Sequence, residues 1–175
     1  KYPWYPVSTQ PWLWKGEVKD MPLAPVGRGL DGYRLDAVPH LIETSAKDWN
    51  DQPQSRALTR QLQDLIKGYA QRYVVCEATA EPAAYGDPAV CGGAFAFGFV
   101  QHYIGAAQGK AESVQRVATH YGTGPQGASP TMATFLSNHD IFAGRRLWDQ
   151  LGGDLRAYKL AAAGYLLQPG TPFIY

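Results

Sequence analysis

Three carboxylates stand out by position. Asp36, Glu77 and Asp140 each follow a stretch that reads as a β-strand. Asp31-Gly32-Tyr33-Arg34-Leu35-Asp36 alternates polar and apolar residues, and Arg72-Tyr73-Val74-Val75-Cys76-Glu77 is β-branched and aromatic up to its terminal acid. Thr131 to Ser137 leads in the same way into Asn138-His139-Asp140. Acids gathered at strand ends around one cleft suit the cleavage of a glycosidic bond. That reaction needs one carboxyl group to protonate the leaving oxygen and a second carboxylate to attack the anomeric carbon or to activate water for the attack. Arg34 projects from the same strand face as Asp36, and a fixed cation there favours the charged carboxylate that a nucleophile requires. Taken singly, each acid reads as a solvated strand-end carboxylate or a helix N-cap. Their joint placement favours chemistry.

The elements that must position these acids follow from periodicity. Leu58, Leu62, Leu65, Ile66 and Tyr69 share one face of a helix expected over 55–70. Val114, Val117, Ala118 and Tyr121 suggest a second helix closed by Gly122, with a Gly/Pro-rich loop over 122–130. A third helix is expected over 155–167, stopped by Pro169-Gly170. Ala94 to Phe99 alternates small and aromatic residues and reads as a strand, and another strand starts at Thr171. Strands alternating with helices imply βα units and a parallel sheet, an α/β fold. In a closed parallel barrel the C-terminal strand ends form the catalytic face. Residues 1–30, with five prolines and Trp4, Trp12 and Trp14, read as a long aromatic loop.

Composition narrows the functions. The 175 residues suffice for one ordinary domain but fall short of the roughly 250 of a complete (β/α)8 barrel. Hydrophobic residues make up 45% and charged residues 18%, which is a globular composition. Sixteen Lys and Arg against fifteen Asp and Glu leave a net charge of +1, which argues against a nucleic-acid binder working through a basic patch. No apolar run approaches the roughly 20 residues of a membrane span. Cys76 and Cys91 are too few for a disulfide scaffold and lack zinc-site spacing. Strand alternation points Cys76 away from Glu77, as a small buried thiol. The start at Lys1-Tyr2-Pro3-Trp4 has neither Met nor an apolar leader, so the chain reads as processed or excerpted.

Asp31-Gly32-Tyr33-Arg34-Leu35-Asp36-Ala37-Val38-Pro39-His40 resembles the strand-four motif of the α-amylase superfamily of retaining glycoside hydrolases. Cys76-Glu77-Ala78 sits where that family places its strand-five acid. Phe135-Leu136-Ser137-Asn138-His139-Asp140 is similar to its strand-seven motif, and Pro169 to Tyr175 looks like its strand-eight segment. The resemblance implies a TIM (β/α)8 barrel of which residues 31–175 supply strands four to eight, preceded by the loop 1–30. It implies Asp36 as the nucleophile, Glu77 as the general acid/base, and Asp140 as the group that binds sugar hydroxyls and stabilises the transition state. Arg34 would hold Asp36, His139 would hydrogen-bond the same sugar ring, and His40 would lie near the acceptor side of the cleft or serve as an ordinary loop histidine. The substrate implied is an α-glucan such as starch or a maltooligosaccharide.

Three departures matter. Pro39 stands where many α-amylases carry Lys before the histidine, as it does in α-glucosidase-like and trehalose-synthase-like relatives. Cys76 precedes the glutamate where Gly or Ala is usual. The family's strand-three motif has no counterpart here, so the rest of the barrel is expected from the same or another chain, and the isolated segment is expected to be inactive. The resemblance implies no cofactor among these residues; calcium, held in the family through loops mostly absent here, belongs to expectations for the complete enzyme. Two other readings stand beside hydrolysis: a transglycosylase or isomerase of the trehalose-synthase type, and a catalytically incomplete fragment that only binds glucan or a partner.

Overall fold

A computed structural model of the chain describes residues 31–120, 132–141 and 145–175. The loops expected over 1–30 and 122–130 lie outside the described residues. The sheet has five strands in chain order, β1 Gly32–Leu35, β2 Tyr73–Cys76, β3 Ala94–Phe95, β4 Met132–Thr134 and β5 Thr171–Pro172. The pairs β1–β2, β2–β3 and β4–β5 are parallel. The chain divides into two compact units, 1–94 and 95–175.

In the first unit, β1 and β2 pair from Gly32 with Tyr73 through Leu35 with Cys76. The backbones approach so closely at the start that a Cβ on Gly32 would run into the Tyr73 carbonyl, so only glycine fits there. Between these strands lie a single 3₁₀ turn, Val38–His40, and the helix α1, Pro53–Lys67. The helix forms where its periodicity predicts, but its most buried face is not the leucine stripe. Ser55, Thr59, Gln63 and Ile66 are buried, while Leu58, Leu62 and Leu65 are only partly covered and Tyr69 is exposed. The polar face is tolerated because it is bonded. The Thr59 hydroxyl donates to the Ser55 carbonyl at 2.7 Å, and the Ser55 hydroxyl accepts from the Ile42 amide at 3.1 Å. Small side chains at these positions let α1 pack against the 3₁₀ turn.

A short helix, α2 (Pro82–Gly86), follows β2. Cys76 is not a thiol: it forms a disulfide with Cys91, fifteen residues on, across a Cα–Cα distance of 6.4 Å. Both cysteines are fully buried. The Cys91 amide donates to the Tyr85 carbonyl and the Cys76 amide to Gly93, so the segment after β2 folds back and returns Cys91 beneath the strand from which it left. Spacing in the sequence carries no trace of this proximity.

The second unit holds α3 (Phe97–Ala107), α4 (Ala111–His120), α5 (Leu147–Gln150) and α6 (Leu155–Leu166) with β4 and β5. The strand expected over 94–99 ends at Phe95, and Phe97 opens α3. The Ala96 amide makes a last ladder bond to Ala133 at 2.9 Å, and the chain then turns into a helix that buries Val100, Tyr103 and Ile104. Alternation over six residues is compatible with both periods. Phe95 and Phe97 pack edge-to-face on Phe135 at 5.3 and 5.1 Å between ring centroids, and Phe95 meets Phe173 at 5.0 Å. α3 and α4 meet where Gly105 leaves room for Ser113. The Asp154 carboxylate caps α6 by accepting from the Arg156 and Ala157 amides. No helix among the described residues is long and apolar enough to cross a membrane.

Candidate active site

The register of β1 and β2 places Asp36 and Glu77 at the next positions past two paired strand ends. The ladder continues through them: the Glu77 amide donates to the Leu35 carbonyl at 2.8 Å, and the Val38 amide to the Glu77 carbonyl at 3.1 Å. One guanidinium joins the two carboxylates. Arg34 donates through Nη1 to Asp36 Oδ1 and through Nη2 to Glu77 Oε2, the latter at 2.8 Å. The acids are therefore separated by no more than the width of one guanidinium and its two bonds. Arg34 can do this because alternation brings it to the face from which Asp36 also projects, and because its planar fork offers parallel donors.

The two acids differ in surroundings. The Glu77 side chain is 15% exposed and also accepts the Ala37 amide at 3.0 Å, whereas the Asp36 side chain is 75% exposed. Ala37 adopts a left-handed conformation, φ 43° and ψ 40°, which turns the chain sharply out of β1. For a residue with a Cβ this costs on the order of 1–2 kcal/mol, offset here by the bonds that Ala37 and Val38 make to Glu77. Alanine gives no sequence signal for such a turn.

His40 closes the 3₁₀ turn that begins one residue after Ala37, and its amide donates to the Ala37 carbonyl at 2.9 Å. Its ring stacks on Trp49, with 5.2 Å between centroids and 10° between planes. Beyond Trp49 the chain is held by Asp51, whose carboxylate takes two bonds from Arg56, at 2.9 and 2.6 Å. The Arg56 hydrogen bond holds the Asp51 carboxyl below its ordinary range against the opposing effect of burial. Arg56 also lies over the Tyr85 ring at 5.8 Å, and burial, then the Asp51 charge, raises the Tyr85 phenol.

In the second unit, Asn138, His139 and Asp140 follow β4. Asn138 Oδ1 accepts the Asp140 amide at 2.9 Å. Arg146 donates to the main-chain carbonyls of Asn138 at 3.0 Å, His139 at 3.4 Å and Asp140 at 3.5 Å. His139 Nε2 lies 3.4 Å from Asp140 Oδ2, and the two side chains are 57% and 52% exposed. The structure thus brings Arg34, Asp36 and Glu77 together in one unit, with His40 one turn away, and His139 with Asp140 in the other. Sequence reasoning missed the Ala37 amide, Trp49, Arg146 and the disulfide behind Glu77. Of these only Trp49, a large aromatic amid polar neighbours in a loop, left a signal. Among the described residues no three His, Cys, Asp or Glu side chains gather to hold a metal ion.

Comparison with known proteins adds family and fold. Residues 12–175 match the family described as the α-amylase catalytic domain. Among solved structures, an α-amylase from H. orenii superposes with a TM-score of 0.63 at 26% identity, over 87% of this chain and 31% of that one. A debranching enzyme from Nostoc punctiforme superposes with a TM-score of 0.62 at 22% identity, over 87% of this chain and 34% of that one, a likeness of fold. The chain therefore spans about a third of the length of these two proteins. No curated protein sequence gives a significant match.

Proposed function

Because the chain belongs to the α-amylase family of glycoside hydrolases, an α/β fold that forms part of a TIM barrel, we propose that the complete protein hydrolyses α-1,4-glucosidic bonds in starch or maltooligosaccharides with retention at the anomeric carbon. The observation that carries this reading is the Arg34 fork spanning Asp36 and Glu77 at two paired strand ends. In this reading β1 to β5 are the fourth to eighth strands of the barrel, and the remaining strands come from the same or another chain.

Asp36 is the nucleophile. Its carboxylate attacks the anomeric carbon while Glu77 gives its proton to the departing glycosidic oxygen, leaving a glycosyl ester on Asp36. Glu77, now a carboxylate, takes a proton from water. That water attacks the same carbon, and the ester bond to Asp36 breaks. The open surroundings of Asp36 suit a group that must reach substrate. Arg34 holds both acids through one guanidinium. Asp140 and His139 bind hydroxyls of the sugar being cleaved, and His40 stands beside a neighbouring sugar. The buried Cys76–Cys91 bond supports action in a compartment where disulfides persist.

The test is proton NMR of maltoheptaose hydrolysis by the complete protein. Initial release of the α-anomer is expected. Initial release of the β-anomer overturns retention, and conversion of maltose to trehalose without net hydrolysis moves the assignment to the isomerase reading that Pro39 leaves open.

A further inference from the structure

We infer that Trp49 is a sugar-stacking platform that holds a glucosyl unit next to the one being cleaved. This rests on the glucan reading above and adds a residue and a subsite to it. Within these 175 residues Trp49 is 48% exposed, although an indole is among the most costly side chains to leave in water. It lies flat on the His40 imidazole, the planes 10° apart. His40 in turn is fixed one 3₁₀ turn beyond Asp36 and Ala37, so the indole is tied to the level of the candidate nucleophile through a single stacked pair.

The loop on either side of Trp49 is built to hold that pose. On the near side, the Thr44 amide donates to the Asp48 carbonyl at 2.9 Å, and Ser45 Oγ meets Asp48 Oδ2 at 2.8 Å while accepting the Asp48 amide at 3.0 Å. On the far side, Asp51 sits in the left-handed region at φ 52°. Its amide donates to the Pro39 carbonyl at 2.8 Å and its carboxylate is clamped by Arg56. A solvent-facing loop with no ligand gains little from being pinned at both ends around an exposed indole. A loop that presents a flat ring to a ligand gains a great deal, because the ordering cost is met before binding. The ligand that suits such a ring is a pyranose. Its axial C–H bonds form an apolar face of about the area of an indole, while its equatorial hydroxyls remain free for water. The stacked His40 imidazole supports the indole from one face.

The experiment uses the complete protein with Trp49→Ala and Trp49→Phe, assayed on maltoheptaose and on maltotriose. Trp49→Ala is expected to lower kcat/KM on maltoheptaose by about 3- to 10-fold, the size of one aromatic stacking contact, through KM. Trp49→Phe should recover most of it, and maltotriose turnover should change less than maltoheptaose turnover. Quenching of tryptophan fluorescence by maltoheptaose, measured in an Asp36→Asn background, should shrink when Trp49→Phe is added. Equal kinetics of Trp49→Ala and wild type on both substrates overturns the platform and leaves the hydrolase reading standing. An equal loss on both substrates, accompanied by a lowered Tm and not restored by Trp49→Phe, also overturns it, since that is a structural role. If the wild type hydrolyses no α-glucan, the functional reading falls. The fluorescence arm then decides separately: quenching that depends on Trp49 keeps the sugar platform, and no quenching removes it.

Discussion

Arg34 and Arg146 stand beside the two groups of candidate acids and are used in opposite ways. Arg34, on a strand, spends its fork on two side-chain carboxylates, Asp36 and Glu77. Arg146, just before a short helix, directs its fork to the main-chain carbonyls of Asn138, His139 and Asp140 and leaves the His139 and Asp140 side chains half exposed. The first region commits charge to charge at a register set by paired β-strands. The second fixes the path of a loop through its main chain. Reacting groups need the first arrangement, because small errors in separation are costly in rate. Groups that hold a substrate gain from the second, because Arg146 takes only their main-chain carbonyls.

Breaking the charge in the first region should have the largest effect. In the complete enzyme, Asp36→Asn keeps the shape of the side chain but cannot form an ester, and its kcat on maltoheptaose should fall at least as far as the ~10²- to 10⁴-fold that general acid–base catalysis contributes. Asp140→Asn should cost less and act partly through KM. Near-normal turnover of Asp36→Asn would reject the nucleophile assignment. The next effect is on stability. The first region is bridged behind Glu77, while the second contains no cysteine. Cys76→Ala with Cys91→Ala should lower the unfolding free energy by about 3 kcal/mol, as expected for a loop of about 15 residues. Urea denaturation of the complete protein with and without reductant reads this directly, and an unchanged midpoint would show that the bridge constrains nothing.

The two arginines can then be set against each other. Arg34→Lys replaces a fork with a point charge that cannot span both acids, and about a 100-fold loss in kcat is expected. Arg146→Ala loosens the loop after β4, and about a tenfold rise in KM with a smaller change in kcat is expected, the worth of one charged hydrogen bond. Steady-state kinetics that reversed this split would dissolve the distinction. The smallest effect concerns the clamp at Asp51. Its carboxyl is held below the ordinary range, so its stabilisation is present above about pH 4 and lost as pH falls through the lower folded value. Asp51→Asn, which tolerates the left-handed backbone, should lower stability at pH 7 by about 1 kcal/mol, given the partly exposed Arg56. It should also flatten the acid limb of a Tm–pH curve, and an identical acid limb in both proteins would show that the pair carries no stability.

Much of the fold is written in local patterns. The alternation of Gly32 to Leu35, the β-branched run ending at Cys76, and the apolar period of α6 each specify an element from neighbours along the chain, and these elements formed. The stretch from Ala94 to Phe99 was ambiguous because small and aromatic residues in alternation satisfy a strand and a helix start alike, and only the ladder bond to Ala133 and the aromatic cluster around Phe135 decided where the strand ends. The face of α1 that is most deeply buried follows a related rule. Leucines at helical spacing mark an apolar stripe, but the tight fit against the 3₁₀ turn selects the small, bonded Ser55 and Thr59 for deepest burial.

By itself, then, the sequence determined which residues carry charge at strand ends and which family pattern they follow, because those features depend on residue type and on spacing within single elements. Only the tertiary structure decided what depends on distances between elements: that Arg34 reaches Glu77 as well as Asp36, that Ala37 takes a left-handed turn to do its part, that Cys76 meets Cys91, and that His40 supports Trp49. Each of these joins residues whose proximity is produced by strand pairing or by loop closure, and neither leaves a periodic signal along the chain.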